Sequence, residues 1–455
     1  MIGSITTKLF KQHNFPETQR FYLKQQHRHN IQQELSILEE TLKPKLKITI
    51  VTETWSPEIN GVANSLLQLC KGLQKLGHRI QLIRPIQKTI CTDFKAEQEC
   101  LVWAKSIPKY ADMQFGMPQY VKVSKAIECF APDVVHIVTE GPLGLTALYA
   151  AQAHQIPVSS GFHSTFHDFS RFFDLALLVK PIESYLRWFH NHTVLTCVPS
   201  QTTLNQLKAF GVICPLVEVG RGVDTTRFHP EHRSEQLRQC WQADANTSVL
   251  LYVGRLSPEK EVDVLIESYL NIKKQQSRKL KMVIVGDGPD RKRLTEMANG
   301  SDVIFTGSLT GKSLAQAYAS ADVFVFASQI ETFGNVILEA MSSGLPVVAY
   351  NYASPQRYIK QGITGWLSPF GQVAHFMQTI IQLPEQKVLR CMGTQARQDI
   401  ESVGWQYPVK QFEQALYHAA NIKATPYVLK ASVIKMSWVI LMSFNLNHQT
   451  VKNTL

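Results

Sequence analysis

Leu46-Lys47-Ile48-Thr49-Ile50-Val51-Thr52, a loop over 57–61, and then residues 62–76 with apolar side chains at helical spacing decide the fold of this chain. The first run is apolar and β-branched and ends at turn residues, which predicts a strand; the second predicts an amphipathic helix. Gly77-His78 closes that helix, and Arg79-Ile80-Gln81-Leu82-Ile83 opens another strand. Strand, helix and strand in this order predict a parallel sheet with helices on its faces.

Outward from that unit the rhythm persists. Asp133-Val134-Val135-His136-Ile137-Val138 reads as a strand, followed by the glycine loop Glu140-Gly141-Pro142-Leu143-Gly144 and an alanine-rich helix. Further strands are expected over 156–162 and 193–198. Past Gly220-Arg221-Gly222-Val223-Asp224 a polar stretch runs to Asn246, and the domain boundary is expected there. The pattern then restarts, with strands over 249–253, 281–285, 303–305, 323–327 and 346–350 and helices over 262–274, 314–320 and 335–342. Two doubly wound Rossmann-like domains, residues 45–235 and 246–404, are the simplest account. Ligands of open α/β sheets bind beyond the carboxyl ends of the strands, so a cleft between two such sheets is the expected site.

Composition is consistent with this architecture. At about 150 residues per domain, 455 residues exceed one domain, and 44% hydrophobic content suffices for real cores. The balance of 47 basic and 36 acidic residues, +11, favours an anionic partner: nucleotide phosphate, nucleic acid or acidic lipid. Nucleic acid is disfavoured because no binding motif accompanies the charge. The eight cysteines show no C-x-x-C spacing, which argues against a zinc site or disulfide scaffold and for a reducing, cytoplasmic compartment. No secretory signal is expected in Met1-Ile2-Gly3-Ser4-Ile5, and no run reaches the roughly 18 apolar residues of a membrane-spanning helix.

The chemistry concentrates in loops that follow strands. In Ser328-Gln329-Ile330-Glu331-Thr332-Phe333-Gly334-Asn335-Val336-Ile337-Leu338-Glu339-Ala340, Glu331 lies in a strand-to-helix loop and Glu339 two turns into the helix. Amides of Phe333, Gly334, Asn335 and Val336 form the helix N-terminus, which suits an anion, and Gly334 permits close approach. Two carboxylates beside a phosphate site make sense if they bind sugar or ribose hydroxyls; taken alone, they read equally well as a helix-start acid and a solvated one. Gly254-Arg255-Leu256-Ser257-Pro258-Glu259-Lys260 offers two cations, which either lie solvated in a surface loop or neutralise a diphosphate. Gly61, in Asn60-Gly61-Val62, lies between the first strand and helix. The G-x-G-x-x-G fingerprint of dinucleotide binding is absent, which disfavours a nicotinamide dehydrogenase. His163, in Phe162-His163-Ser164-Thr165-Phe166-His167-Asp168, follows a strand end, with His167 as its rival.

Glu331-x7-Glu339 followed by Ala340-Met341-Ser342-Ser343-Gly344-Leu345-Pro346-Val347-Val348 resembles the signature of the retaining glycosyltransferases of family 4, which have the GT-B fold. The resemblance spans roughly residues 45–420. It implies transfer of a sugar from a nucleotide-sugar to an acceptor hydroxyl by front-face attack, with the leaving diphosphate assisting deprotonation. Arg255 and Lys260 match the family's diphosphate-binding pair; Glu331 would position the donor sugar and Glu339 the ribose. The Gly61 loop is similar to the family's first glycine loop, particularly in members that act on lipids, and Gly286-Asp287-Gly288-Pro289 would lie near the base. The family places a functional histidine where His163 stands, usually in a His-Thr pair; here Ser164 follows. No Asp-x-Asp motif is present, so neither a metal nor another cofactor is expected.

Within the family the opening strand and loop look closest to GDP-mannose-dependent α-mannosyltransferases and sulfoquinovosyl-lipid synthases. GDP-mannose is therefore the favoured donor and a UDP-sugar the alternative, with a lipid or glycan as acceptor. Non-catalytic binding of sugar nucleotide or lipid is the reading from another class. By the same resemblance, 405–422 is a helix crossing back to the first domain. Residues 1–44 read as a basic extension, in which Ile31, Leu35, Leu38 and Leu42 would share one helical face. The apolar, Lys-interrupted tail within 423–455 would pack on the first domain or lie peripherally in an anionic membrane interface.

Overall fold

The structure, a computed structural model, describes residues 43–421 apart from 59, 88–92, 108–109, 164–178, 276–278 and 332. The expected helical face at 31–42, His167 and the apolar tail lie outside the described residues. From residue 47 onward the chain forms one unit built on two parallel sheets.

The first sheet holds β1 (Lys47–Val51), β2 (Arg79–Pro85), β3 (Gln98–Val102), β6 (Val134–Ile137), β7 (Val158–Gly161), β8 (Leu195–Val198) and β9 (Leu216–Glu218), in the order β3-β2-β1-β6-β7-β8-β9. A hairpin of β4 (Ala104–Ile107) and β5 (Tyr110–Gly116) stands beside it. The accompanying helices are α1 (Gly61–Lys75), α2 (Tyr120–Phe130), α3 (Pro142–Ala153), α4 (Val179–Asn191) and α5 (Gln201–Phe210). Asn60 starts α1 by accepting the Ala63 amide at 2.8 Å, satisfying one of the orphan donors of a helix N-terminus. Leu66, Leu69, Cys70 and Leu73 form its buried stripe. Gly77, at φ +90°, ends it, because such a turn carries a steric penalty for any residue with a Cβ.

The second sheet contains β10 (Ser248–Val253), β11 (Leu280–Val285), β12 (Ile304–Gly307), β13 (Val323–Phe326), β14 (Val347–Tyr350) and β15 (Gly365–Ser368), in the order β12-β11-β10-β13-β14-β15. Its helices are α6 (Glu235–Cys240), α7 (Val262–Gln275), α8 (Arg291–Met297), α9 (Gly311–Ser320), α10 (Asn335–Ser342), α11 (Ala353–Tyr358), α12 (Val373–Ile381) and α13 (Gln386–Ile400). All six residues of β10 are buried, as a central parallel strand covered on both faces requires.

Two departures from the sequence reading have clear causes. The polar stretch before Asn246 is no plain connection: Arg238 of α6 is fully buried, donating to Asp322 Oδ2 at 2.9 Å and to the carbonyls of Ser320, Asp244 and Thr247. Val223, Phe228, Trp241 and Ala243 accordingly join the core of the second sheet. The edge strand β3 went unread because Gln98 and Glu99 give it polar, exposed positions.

The last helix, α14 (Gln406–Ala420), returns to the first sheet. A Cβ on Gly72 would fall 2.2 Å from Val409 Cγ2, so glycine in α1 lets the two helices close up. Glu413 of α14 bonds His78 Nε2 at 2.8 Å, a buried polar link across the same contact.

Candidate functional site

Each sheet has a switch point, where strand order reverses and loops at the carboxyl ends part to leave a crevice. In the first sheet it lies between β1 and β6. The Glu53 amide there donates to Thr139 Oγ1 at 3.0 Å, and Glu53 Oε1 accepts the Leu143 amide of α3 at 2.8 Å. In the second sheet it lies between β10 and β13, and the loops flanking it carry Gly254, Arg255 and Lys260 on one side and Glu331 to Val336 on the other.

Lys260 Nζ reaches across this second crevice. It donates to Glu331 Oε1 at 2.6 Å, to the Ile330 carbonyl at 2.8 Å and to Ser328 Oγ at 3.2 Å. Lys260 and Glu331 are 16% and 17% exposed, so the pair stays reachable by a ligand. Arg255 differs: among the described residues nothing accepts a hydrogen bond from its guanidinium, although its carbonyl accepts Tyr252 Oη at 2.8 Å. Tyr252 is buried between these groups; burial drives its phenol well upward, Glu331 and Glu259 reinforce that, and Arg255 opposes it. One free and one paired cation thus border a single crevice.

The glycines of this region serve close packing. A Cβ on Gly254 would sit 2.6 Å from Tyr252 Oη, and one on Gly286, at φ +142°, would sit 1.8 Å from the Gly254 carbonyl oxygen. Gly288 lies equally tight against the Leu256 carbonyl, with 2.2 Å to a Cβ. The turn predicted to lie near a base is therefore pressed backbone to backbone against the Arg255 loop.

Gly334, at φ +85°, caps α10, and its carbonyl accepts Ser354 Oγ at 3.0 Å. Phe333 is buried and packs edge-on to Tyr358, so only its backbone can serve a ligand; Val336 packs partly against the same core. Asn335 crosses to the other sheet, its Nδ2 donating to Ser65 Oγ of α1 at 3.1 Å. A Cβ on Gly61 would lie 3.7 Å from that same Nδ2. The two glycine loops therefore meet at Asn335.

Glu339 stands apart from the Lys260 cluster. Its Oε2 accepts Tyr318 Oη at 3.0 Å, and it lines a hollow with Asn335, Arg227, Asp224 and Trp405. Burial pushes its carboxyl upward, opposed by Tyr318 and Arg227. Asn335 Oδ1 and Arg227 Nε are buried in this region and have no hydrogen-bond partner among the described residues. His163 lines a second hollow with Ser65, His136 and Arg221, where its Nδ1 lies 2.9 Å from Arg221 Nη2. Ser65 borders that hollow and also holds Asn335, connecting the His163 side to the helix N-terminus.

Sequence reasoning missed Ser65, Tyr252, Tyr318, Arg227 and Arg221. None sits in a pattern that marks it; each gains meaning only from what surrounds it. Among the described residues no group of three or more His, Cys, Asp or Glu is placed to hold a metal ion, and no helix is long and apolar enough to cross a membrane.

Glu53 carries a separate consequence. Burial, with a further push from the Glu140 carboxylate, raises its pKa from 4.5 to about 8 against the pull of the Leu143 and Gly144 amides. The folded chain then holds a proton that the unfolded chain has released, so this group's contribution to stability falls as pH rises from about 4.5 to about 8. Glu53→Gln removes the titration. Thermal melts from about pH 5 to about pH 8.5 should show the variant gaining on the wild type as pH rises. A difference that does not change with pH would refute the assignment.

Comparison with known proteins bears on the family and the fold. Residues 59–227 match the family described as Glycosyltransferase Family 4, and residues 233–399 match Glycosyl transferases group 1. A GDP-mannose-dependent alpha-mannosyltransferase of Mycobacterium tuberculosis is 34% identical over 337 residues, 72% of this chain and 85% of that protein. The sulfoquinovosyl transferase SQD2 of Arabidopsis thaliana is 28% identical over 389 residues, 84% of this chain and 75% of the relative. Among solved structures, a sucrose-phosphate synthase from Thermosynechococcus elongatus superposes with a TM-score of 0.65 at 18% identity, covering 82% of this chain and 99% of its own. That last likeness concerns the fold, GT-B.

Proposed function

This chain belongs to the family 4 glycosyltransferases, and we propose that it moves mannose from GDP-mannose to a hydroxyl of a lipid or glycan acceptor, with retention at the anomeric carbon. The observation that carries the reading is the meeting of three loops. The Arg255–Lys260 loop and Glu331 face one another across the β10–β13 crevice, and the Gly61 loop of the other sheet closes on Asn335 beside them. In this reading the bond from the anomeric carbon to the diphosphate oxygen breaks, the acceptor oxygen bonds that carbon on the same face, and the acceptor proton passes to the departing diphosphate. Arg255, Lys260 and the amides at Gly334, Asn335 and Val336 stabilise the charge on that leaving group. Glu331, held in place by Lys260 Nζ at 2.6 Å, orients the sugar hydroxyls. Glu339, beside Asn335 Oδ1 and Arg227 Nε, which have no partner among the described residues, takes the ribose. The Gly286–Gly288 turn borders the base.

The 34% identity to a GDP-mannose-dependent enzyme supports the donor, and the 28% identity to a sulfoquinovosyl transferase keeps a UDP-sugar as the second reading. Thermal shift against GDP, UDP, ADP, GDP-mannose, UDP-glucose and NAD tests both, because a ligand bound only by the folded chain raises its melting temperature. Stabilisation by GDP and GDP-mannose is expected. Response to uridine nucleotides alone would overturn the mannosyl donor, and silence from every sugar nucleotide in a folded sample would overturn the catalytic reading.

Peripheral contact with an anionic membrane is part of the same proposal. Trp103 is 65% exposed and Val121 79%, with Ile86 and Tyr120 also exposed. Hydrogen bonds from the Ile86 amide to the Val102 carbonyl and from the Trp103 amide to Gln119 Oε1 gather these residues at the β3 edge. Exposed Lys105, Lys122 and Lys125 lie among them in sequence. Exposed apolar side chains with exposed lysines close in sequence suit an acidic lipid surface. Trp103→Ala combined with Val121→Asp should lower partitioning onto anionic vesicles about tenfold or more. Unchanged co-sedimentation would remove this surface from the proposal.

A further inference from the structure

We infer that Arg221 is a positioning residue that holds His163 as a neutral imidazole with its proton on Nε2, so that His163 acts only as a hydrogen-bond donor. The inference rests on the reading that His163 borders the donor sugar. Nothing in the sequence marks Arg221, which stands alone in the connection after β9.

The argument begins with lone pairs. A guanidinium has donors and no acceptor, so the 2.9 Å contact from Arg221 Nη2 obliges His163 Nδ1 to accept. A neutral imidazole accepting at Nδ1 carries its proton on Nε2. Arg221 is itself anchored, 7% exposed, with Nη1 donating to the carbonyls of Val219 and Gly220 at 3.3 Å each. No carboxylate pairs with it among the described residues. Burial accordingly lowers its pKa to about 10, which still leaves it charged at neutral pH. The ring has room because of Gly161, where a Cβ would fall 2.6 Å from His163 Nε2.

Around His163 three of the described titratable groups, Arg221, His136 of β6 and His190 of α4, discourage a second positive charge, and the fourth, Cys197 of β8 beside Arg221, is a neutral thiol. His136 gives Nδ1 to a contact with Ser159 Oγ at 2.9 Å, and burial depresses its pKa to about 3. His190 bridges Ser160 Oγ, at 2.9 Å, and Glu140 Oε1, at 3.2 Å. Burial pushes the Cys197 thiol up to about 12, so it adds no anion. Burial first, and then Arg221, hold His163 well below the ordinary histidine range. With Nδ1 occupied and Nε2 protonated, the ring has no free lone pair. It cannot take the acceptor's proton, which accords with the departing diphosphate acting as the base.

Nitrogen NMR of the full chain labelled at histidine tests this, with His163 identified by the signal missing in His163→Gln. The wild type should show one tautomer, Nε2–H, without titration between about pH 5.5 and 7.5. Arg221→Gln keeps a donor without a charge, so it should retain the tautomer and raise the pKa towards the ordinary value of about 6.5. Arg221→Met should also lose the single tautomer, because Nδ1 no longer has a donor to accept from, while burial still keeps the pKa below the ordinary value. A wild-type His163 that titrates near pH 6.5, or that carries its proton on Nδ1, overturns the inference, and this measurement needs no variant of Arg221 to fold. So does an Arg221→Met chain in which His163 keeps Nε2–H as its single tautomer and an unchanged pKa. Unchanged turnover in His163→Ala would instead refute the placement of His163 at the sugar, a failure seen in a different observable.

Discussion

Arg255→Ala should lower turnover by about two to three decades while leaving the melting temperature unchanged. The size follows from the role: a fixed cation that meets charge developing on a leaving group contributes about 3–4 kcal/mol to the transition state. The absence of a stability effect follows from the geometry. No described group accepts a hydrogen bond from the guanidinium, so truncation strands nothing. Lys260→Ala should cost a similar factor in rate and also destabilise, because Glu331 Oε1, the Ile330 carbonyl and Ser328 Oγ lose their common donor. Partial exposure limits that loss to about 1–2 kcal/mol, a fall of a few degrees. Adding Glu331→Ala to Lys260→Ala should recover stability without recovering rate, since the stranded carboxylate goes while the leaving group stays unsupported. Steady-state kinetics and thermal melts on the three variants separate these effects. An Arg255→Ala enzyme within threefold of wild type would refute the leaving-group role, and a Lys260→Ala chain as stable as wild type would refute the account of the pair.

Much of the fold was legible because parallel strands covered on both faces must be apolar throughout. β10, β11 and β13 read as apolar runs broken only near their starts by Ser248 and Lys281, and the structure buries every residue in them. What escaped lies where polarity has a hidden partner. β3 carries Gln98 and Glu99 because it is an edge, and α6 carries Arg238 because Asp322, 84 residues away, accepts from it. The site divides in the same way. Glu331, Gly334, Asn335 and Lys260 were legible as residues in loops that follow strands, but the bond from Lys260 to Glu331 joins positions 71 apart and exists only because β10 and β13 are neighbours at the switch point. Arg221 and Ser65 belong to no local pattern. An arginine is informative when it is buried without an acid beside it, and burial is a property of the fold.

Gly286→Ala should be the most disruptive single methyl group that can be added near the site. At φ +142° the backbone already disfavours a side chain, and the new Cβ would lie 1.8 Å from the Gly254 carbonyl oxygen, a contact no rotamer relieves because both partners are main chain. One of the two turns must move. The Gly286 turn is held by its amide to the Gly307 carbonyl at 2.9 Å, and the Gly254 loop by its amide to the Val285 carbonyl at 3.0 Å, so either movement breaks a hydrogen bond at the end of a central strand. Overpacking together with backbone strain puts the cost at about 2–4 kcal/mol, or roughly 5–15 °C in melting temperature. Below that temperature the folded variant would hold Arg255 displaced. A shift of about 1 Å in a preorganised charge costs about a hundredfold in rate, so turnover should fall even where the protein is fully folded. Gly300→Ala is the control: its φ is also positive, at +75°, but a Cβ there meets nothing within 4 Å, leaving only the backbone term. Equal melting temperatures for the two variants would mean that the Gly254 contact contributes nothing, and unchanged kcat in a folded Gly286→Ala chain would mean that the packing of these turns does not position Arg255.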